Sequence, residues 1–180
     1  KEKNIFPVLG IPMIQWVIEE CKNLNHVKFK NIYVSSDSNR IINVSKRLGV
    51  NCIKRPDFLS LDSVEKMDAV QHAAKEISKD SKIDIVVSLQ ANSPTFLSKD
   101  LDKAIEFFVD NLYFKKKKCE VISVGRDNLQ NACFRIMSWD AVFHNSLSTN
   151  VGVFFTECHD VHNIEDVKIV EKVLKERNEV

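Results

Sequence analysis

Ile83-Asp84-Ile85-Val86-Val87-Ser88-Leu89-Gln90-Ala91-Asn92-Ser93-Pro94 decides the fold in two halves. Residues 83–89 form an apolar run broken only by Asp84 and Ser88, as expected of a strand covered on both faces in the middle of a parallel sheet. Residues 90–94 turn polar and end on a proline, leaving amide and hydroxyl side chains at the carboxyl end of the strand. On either side the periodicity becomes helical. Residues 63–79 carry Met67, Val70, Ala73, Ala74 and Ile77 at helical spacing, and residues 97–111 read as a second helix.

The alternation continues outward. Residues 12–24 read as a helix with Pro12 near its first turn and Ile14, Val17, Ile18 and Cys21 on one face. Residues 31–35 (NIYVS) read as a buried strand and residues 50–53 as a short one. Between them residues 38–48 form a helix ended by Gly49. Residues 120–124 are a further strand, and residues 164–177 a charged amphipathic helix. This order predicts an α/β fold with a mostly parallel sheet flanked by helices on both faces. In such sheets ligands bind at the carboxyl ends of the strands, where Ser36-Asp37-Ser38 and Gln90–Pro94 stand. Asp37 is either a site carboxylate or, the preferred reading, the N-cap of the next helix. Residues 125–150 show no clear period and read as an excursion from the sheet. The run Lys115–Lys118 is either a solvated turn or a phosphate contact.

Composition bounds the function. The 180 residues fit a single domain, 44% of them hydrophobic and 28% charged. A formal net charge of +1 supplies no field for nucleic acid or a membrane surface, and no apolar run approaches the roughly 20 residues of a membrane span. No signal-peptide pattern precedes Pro7. The five cysteines are odd in number and without CxxC spacing, which points to reduced thiols in a cytoplasmic protein and away from disulfides or zinc. A dinucleotide site is unsupported, since there is no GxGxxG and the whole chain has four glycines. The first residue is lysine, so the sequence is expected to be a fragment or to lack its start.

Five segments, in order, resemble the acylneuraminate and Kdo cytidylyltransferases. They are Lys3-Asn4-Ile5 with Leu9-Gly10-Ile11-Pro12; Val34-Ser35-Ser36-Asp37; Lys54-Arg55-Pro56 with Leu61-Asp62-Ser63 and Met67-Asp68; Leu89-Gln90-Ala91-Asn92-Ser93-Pro94; and Asp160-Val161-His162 with Glu165-Asp166. The resemblance covers residues 1 to about 110 well, residues 150–180 moderately and residues 125–150 weakly. It implies a Rossmann-like nucleotidyltransferase fold that moves CMP from CTP to an acidic sugar, sialic-acid-like or Kdo-like, with release of pyrophosphate. It also implies magnesium and a homodimer, with residues 125–150 serving dimerisation or sugar binding. Three departures stand out. Only the tail of the family's first strand and phosphate loop, Lys1 to Asn4, is present, so the natural protein is expected to be longer. His162 stands where a second aspartate often does. Val64-Glu65-Lys66 replaces a hydroxyl-rich stretch.

Carried onto these positions, the resemblance makes Lys3 and Asp160 the catalytic pair, with Asp160 the magnesium ligand. Lys3, Asn4, Arg55, Ser63 and Gln90 would bind nucleotide. Gln90, Asn92, Ser93, Arg135 and His162 would bind the sugar. The residue types suit the chemistry: lysine is a point charge for phosphate, an amide both donates to and accepts from hydroxyls, and magnesium takes one or two carboxylates plus waters. Plainer roles stand beside these: a solvated Lys3, a surface Arg55, a loop turn at Asn92 and Ser93, and an exposed Asp160. His162 would then be a surface or packing histidine, and Glu165 and Asp166 simply the start of the last helix. Arg135 lies inside the apolar Phe134-Arg135-Ile136-Met137 and must meet an anion: a substrate carboxylate, a phosphate, or a structural Asp or Glu. The competing functional reading is a catalytically degenerate nucleotide-binding or subunit protein of the same fold, or a transferase using another nucleotide or sugar.

Overall fold

In the computed structural model, which describes residues 3–61, 63–144, 146 and 148–178, strands and helices alternate along the chain. They are β1 (Pro7–Val8), β2 (Ile11–Pro12), α1 (Met13–Cys21), β3 (Tyr33–Ser36), α2 (Asn39–Arg47), β4 (Asn51–Lys54), α3 (Lys66–Ser78), β5 (Ile85–Leu89), α4 (Ser98–Phe108), β6 (Glu120–Val124), β7 (Gln130–Ser138), α5 (Trp139–Val142), β8 (Val151–Phe155) and α6 (Ile164–Asn178). Lys1 and Asp62, which belong to the motifs above, lie outside the described residues.

The main sheet has the order β5-β7-β6-β8. β7 runs antiparallel to both β5 and β6, and β8 runs parallel to β6. Three strands therefore share one direction and β7 alone opposes them, so the sheet is mixed. A parallel pair, β3 with β4, and the hairpin β1-β2 form separate ladders. The hairpin turns on Leu9 and Gly10, both at positive φ (50° and 76°), the backbone that a two-residue hairpin turn demands and glycine tolerates best.

β5 stands at one edge of this sheet and pairs antiparallel with β7, not in the middle of a parallel sheet as its apolar run suggested; the run is apolar because both faces are covered. Ile85, Val87 and Leu89 pack toward the cluster of Val17, Leu101, Ala104, Phe108 and Phe134, while Val86 packs with Ala74, Met137 and Val142 on the other face. Helices α1 and α4 thus cover one face, and α3 and α5 the other. α6 lays Val167, Val170 and Leu174 against Val8 and Met13.

Residues 125–150 hold the largest departure from expectation. The stretch read as an excursion contains β7, nine residues long, in the interior of the sheet. Helix ends also moved. α1 starts at Met13, with Pro12 the residue just before it. α3 begins at Lys66, three residues later than its periodicity suggested. After Cys21 the chain leaves the helix because Asp102 captures the backbone N–H groups of Asn25 (3.0 and 3.2 Å) and His26 (3.2 Å).

Gly152, in β8 opposite Val121, marks a close approach. A Cβ there would lie 2.8 Å from the Phe107 ring, 3.0 Å from Val121 Cγ2 and 3.1 Å from Leu112 Cδ1. Gly152→Ala is expected to destabilise the protein by about 1–3 kcal/mol through overpacking, read as a lower urea midpoint at unchanged slope.

Candidate functional site

Two loops meet at the carboxyl ends of β5 and β8. The Val161 N–H donates to Asn92 O (2.8 Å), and the Asn92 amide donates back to Val161 O (3.3 Å). Next to this pair the Ser93 hydroxyl donates to Asp160 Oδ1. The His159 N–H donates to Thr95 Oγ1 (2.8 Å), and Arg177 of α6 donates to Thr95 O (2.7 Å). The Ser93 hydroxyl thus fixes the Asp160 carboxylate, while the neighbouring bonds hold the two loops together. Burial, the largest influence on it, pushes the Asp160 carboxyl above the ordinary 3.8; the Ser93 hydrogen bond and the nearby charges of His162, Lys66 and Lys3 oppose that rise. Lys3, Ser93, Asp160 and His162, named from sequence, therefore share one neighbourhood. Asn4 sits beside Lys3 in the 3-10 turn Lys3–Ile5, and Gln90 directly follows β5.

His162 leads into α6. Its N–H and that of Asn163 donate to Asp166 Oδ2 (2.6 and 3.0 Å), while Asn163 Oδ1 accepts from the Asp166 N–H (3.0 Å). This reciprocal capping satisfies donors at the helix start and gives Asp166 the structural role read for it. The two backbone hydrogen bonds hold its carboxyl below the usual range.

Arg55 is engaged by partners of its own. Arg55 follows β4 and donates to Asp37 Oδ1 (3.0 Å) and Ser60 Oγ (3.1 Å). Asp37 is therefore an ion-pair partner at the end of β3, and the cap of α2 is Ser38, whose side chain accepts from Ile41 N. Burial acts to raise the Asp37 carboxyl, but hydrogen bonds from its own backbone, Arg55 and Ser60, with the Arg55 charge, hold it below its ordinary value. Ser63 is exposed.

Arg135 resolves into a buried pair. Its Nε donates to Glu120 Oε2 (2.5 Å), and Glu120, with no exposed surface, takes the Ser148 N–H on its other oxygen (2.5 Å). The anion owed to Arg135 is thus structural. The same arginine also borders a polar cavity of about 410 Å³ with Glu65, Met67, Asp68, Gln71 and His144. The first turn of α3 joins the two places, because Lys66 acts on Asp160 while Glu65, Met67 and Asp68 face this cavity.

Lys66 was missed from sequence, where it counted only as a departure. A cation at the start of a helix has no local signature that ties it to residue 160. Glu120 was missed as well, although a carboxylate opening the apolar strand EVISV is the mirror of an arginine inside an apolar strand. Among the described residues no group of three or more His, Cys, Asp or Glu side chains is placed to hold a metal ion. No helix among them is long and apolar enough to cross a membrane.

Comparison with known proteins finds relatives of one kind. The N-acylneuraminate cytidylyltransferase A of Danio rerio is 30% identical over 111 residues, which cover 62% of this chain and 25% of that one. The corresponding protein of Oncorhynchus mykiss is 30% identical over 104 residues and is covered to 23%. The chain therefore matches about a quarter of the length of these relatives. The post-translational flagellin modification protein B of Campylobacter coli is 28% identical over 215 aligned residues, covering 99% of this chain and 90% of that protein. Among solved structures, a CMP:2-keto-3-deoxy-manno-octonic acid synthetase complexed with CTP superimposes with a TM-score of 0.75 at 14% identity, covering 97% of this chain and 92% of the other. At that identity the likeness establishes the nucleotidyltransferase fold. The cytidylyltransferase family pattern runs through residues 1–175, nearly the whole length, and the chain belongs to that family.

Proposed function

We propose that the protein transfers CMP from CTP to an acidic sugar with release of pyrophosphate, the sugar hydroxyl attacking the α-phosphate. The observation that carries this reading is the junction of the loops after β5 and β8, where Asp160 is held by Ser93 and faced by Lys3, Lys66 and His162. Phosphoryl transfer of this kind depends on positioning and on neutralising charge. Lys3 and Lys66 supply the positive charge for the phosphates. Gln90, at the end of the strand, offers an amide to ribose or sugar hydroxyls. The cavity edged by Arg135, Asp68 and Gln71 takes the sugar, with donors on the arginine and acceptors on the carboxylate and amide.

A magnesium ion fits the residues present. Asp160 is a single half-buried carboxylate whose charge burial penalises, and magnesium is a hard cation that needs few protein oxygens when waters and phosphates complete its shell. Asp160 would hold it, with His162 reaching one of its waters. The ion would draw charge from the phosphate oxygens as the pyrophosphate leaves. His162 in place of a second carboxylate keeps one other reading open, a protein that binds nucleotide without turning it over.

The deciding experiment is pyrophosphate release from each of the four nucleoside triphosphates, with magnesium and a panel of sialic-type and Kdo-type sugars. Release only with CTP and one acidic sugar is the expected result. CTP binding without release for any sugar would favour the non-catalytic reading, and no binding would end both.

A further inference from the structure

A second concavity, of about 670 Å³, opens at the other end of the main sheet. It lies against Asp84 before β5 and Trp139 after β7, whereas Ser93 and Asp160 stand past the far end of β5. Five residues of extended chain separate the two places by roughly 17 Å.

Three kinds of group converge there. Lys116 and Lys117 are exposed cations with no ion pair among the described residues, while Lys82 is engaged by Asp84 (3.0 Å). Their backbone is not a loose turn. Lys116 N donates to Leu112 O (3.0 Å), and Lys117 O accepts from the Ser138 hydroxyl (2.7 Å), which anchors the run to β7. Phe114 is 79% exposed, its ring held edge-on against Tyr113 with centroids 5.2 Å apart. Trp139 is also fixed, its backbone N–H donating to Asp84 O (3.0 Å) and its ring packed edge-on against Phe143 at 4.8 Å. Asp140 adds an exposed carboxylate that makes no ion pair among the described residues.

Unneutralised cations, a water-exposed aromatic ring and a free carboxylate acceptor on one rigid wall match a ligand with an anion, a flat ring and hydroxyl donors. We propose that this cavity is a second binding site, for a nucleoside monophosphate. The phosphate meets Lys116 and Lys117, the base lies against Phe114 or Trp139, and Asp140 accepts from the ribose hydroxyls. The volume falls within the range of small-ligand sites. The site needs nothing from Asp160 or Lys3, so it stands or falls separately from the reading of the reaction centre.

The chain has two tryptophans, Trp16 and Trp139, and Trp16→Phe leaves Trp139 as the sole reporter. Its emission is titrated with CMP, cytidine, inorganic phosphate and oligonucleotides of increasing length. The expected result is a saturable change with CMP, and binding about tenfold or more weaker for cytidine and for phosphate alone. Lys116→Ala with Lys117→Ala should weaken CMP binding about tenfold or more, the scale of losing charge-assisted hydrogen bonds, with melting temperature and pyrophosphate release unchanged. Calorimetry with both tryptophans present should show the same loss. Absence of a saturable change, or CMP binding indifferent to the lysine substitutions, overturns the proposal. So does phosphate binding as tightly as CMP, which would leave a bare anion site, and so does affinity that grows with oligonucleotide length.

Discussion

Asp160→Asn is expected to lower pyrophosphate release about 10²–10³-fold, the scale of losing one preorganised electrostatic contact, without lowering the melting temperature. The two halves of this expectation have one cause. Burial works against the charged form of Asp160, so the folded protein carries an ionised group in a place that disfavours ionisation. Asparagine has nearly the same shape and retains an oxygen to accept from Ser93, so it relieves the penalty while removing the charge. Stability should hold or rise while activity falls, the pattern expected where a site is kept at the expense of the fold. Thermal unfolding and the release assay on the same preparation decide it. A drop in melting temperature that parallels the lost activity would make Asp160 a structural residue and remove the main support for the proposed reaction.

Glu120→Ala is expected to cost about 3–5 kcal/mol of stability, the effect of removing one partner from a buried ion pair. Arg135 would keep its charge with only a fifth of its side chain exposed, and the Ser148 N–H would lose its acceptor. The double variant Glu120→Met with Arg135→Leu removes both charges, and most of the loss should return. Urea denaturation of the three proteins gives the comparison. The double variant also isolates function: with Arg135 gone from the cavity of Asp68 and Gln71, the sugar KM should rise while CTP binding is unaffected. If Glu120→Ala proved neutral, the pair would not be holding β6, β7 and the Ser148 turn together.

What could be read from the sequence was what nearest neighbours along the chain determine. Ile85, Val86, Val87 and Leu89 announce a strand covered on both faces because each packs against a core cluster that a covering helix shares. The polar residues after it announce the end of the strand, and Asn92 and Ser93 are buried there against Val161 and Asp160. β7 escaped because its pattern is broken by Arg135, and the charge that makes an arginine tolerable there comes from Glu120 on a neighbouring strand. The cap of α2 was misjudged by one position for the same reason: Asp37 is drawn away by Arg55, eighteen residues on, and Ser38 takes the cap. Of the site, Ser93, Asp160, His162 and Lys3 were placed by motif order and proved to be neighbours. Lys66 and the Arg135 cavity depend on how α3 lies across the sheet, which no local pattern encodes.

The reversed strand also imposes an order of events on the newborn chain. Leu89 pairs with Phe134 and Ile85 with Ser138, so β5 leaves the ribosome well before the strand that satisfies its backbone. At roughly 5–20 residues per second the wait lasts some seconds, during which Ile-Val-Val-Ser-Leu is an unpaired apolar segment. Loop closure over that span comes before any reward from pairing. The step that joins β5 to the sheet is therefore late and slow, and β5 stays an unpaired apolar strand until β7 arrives.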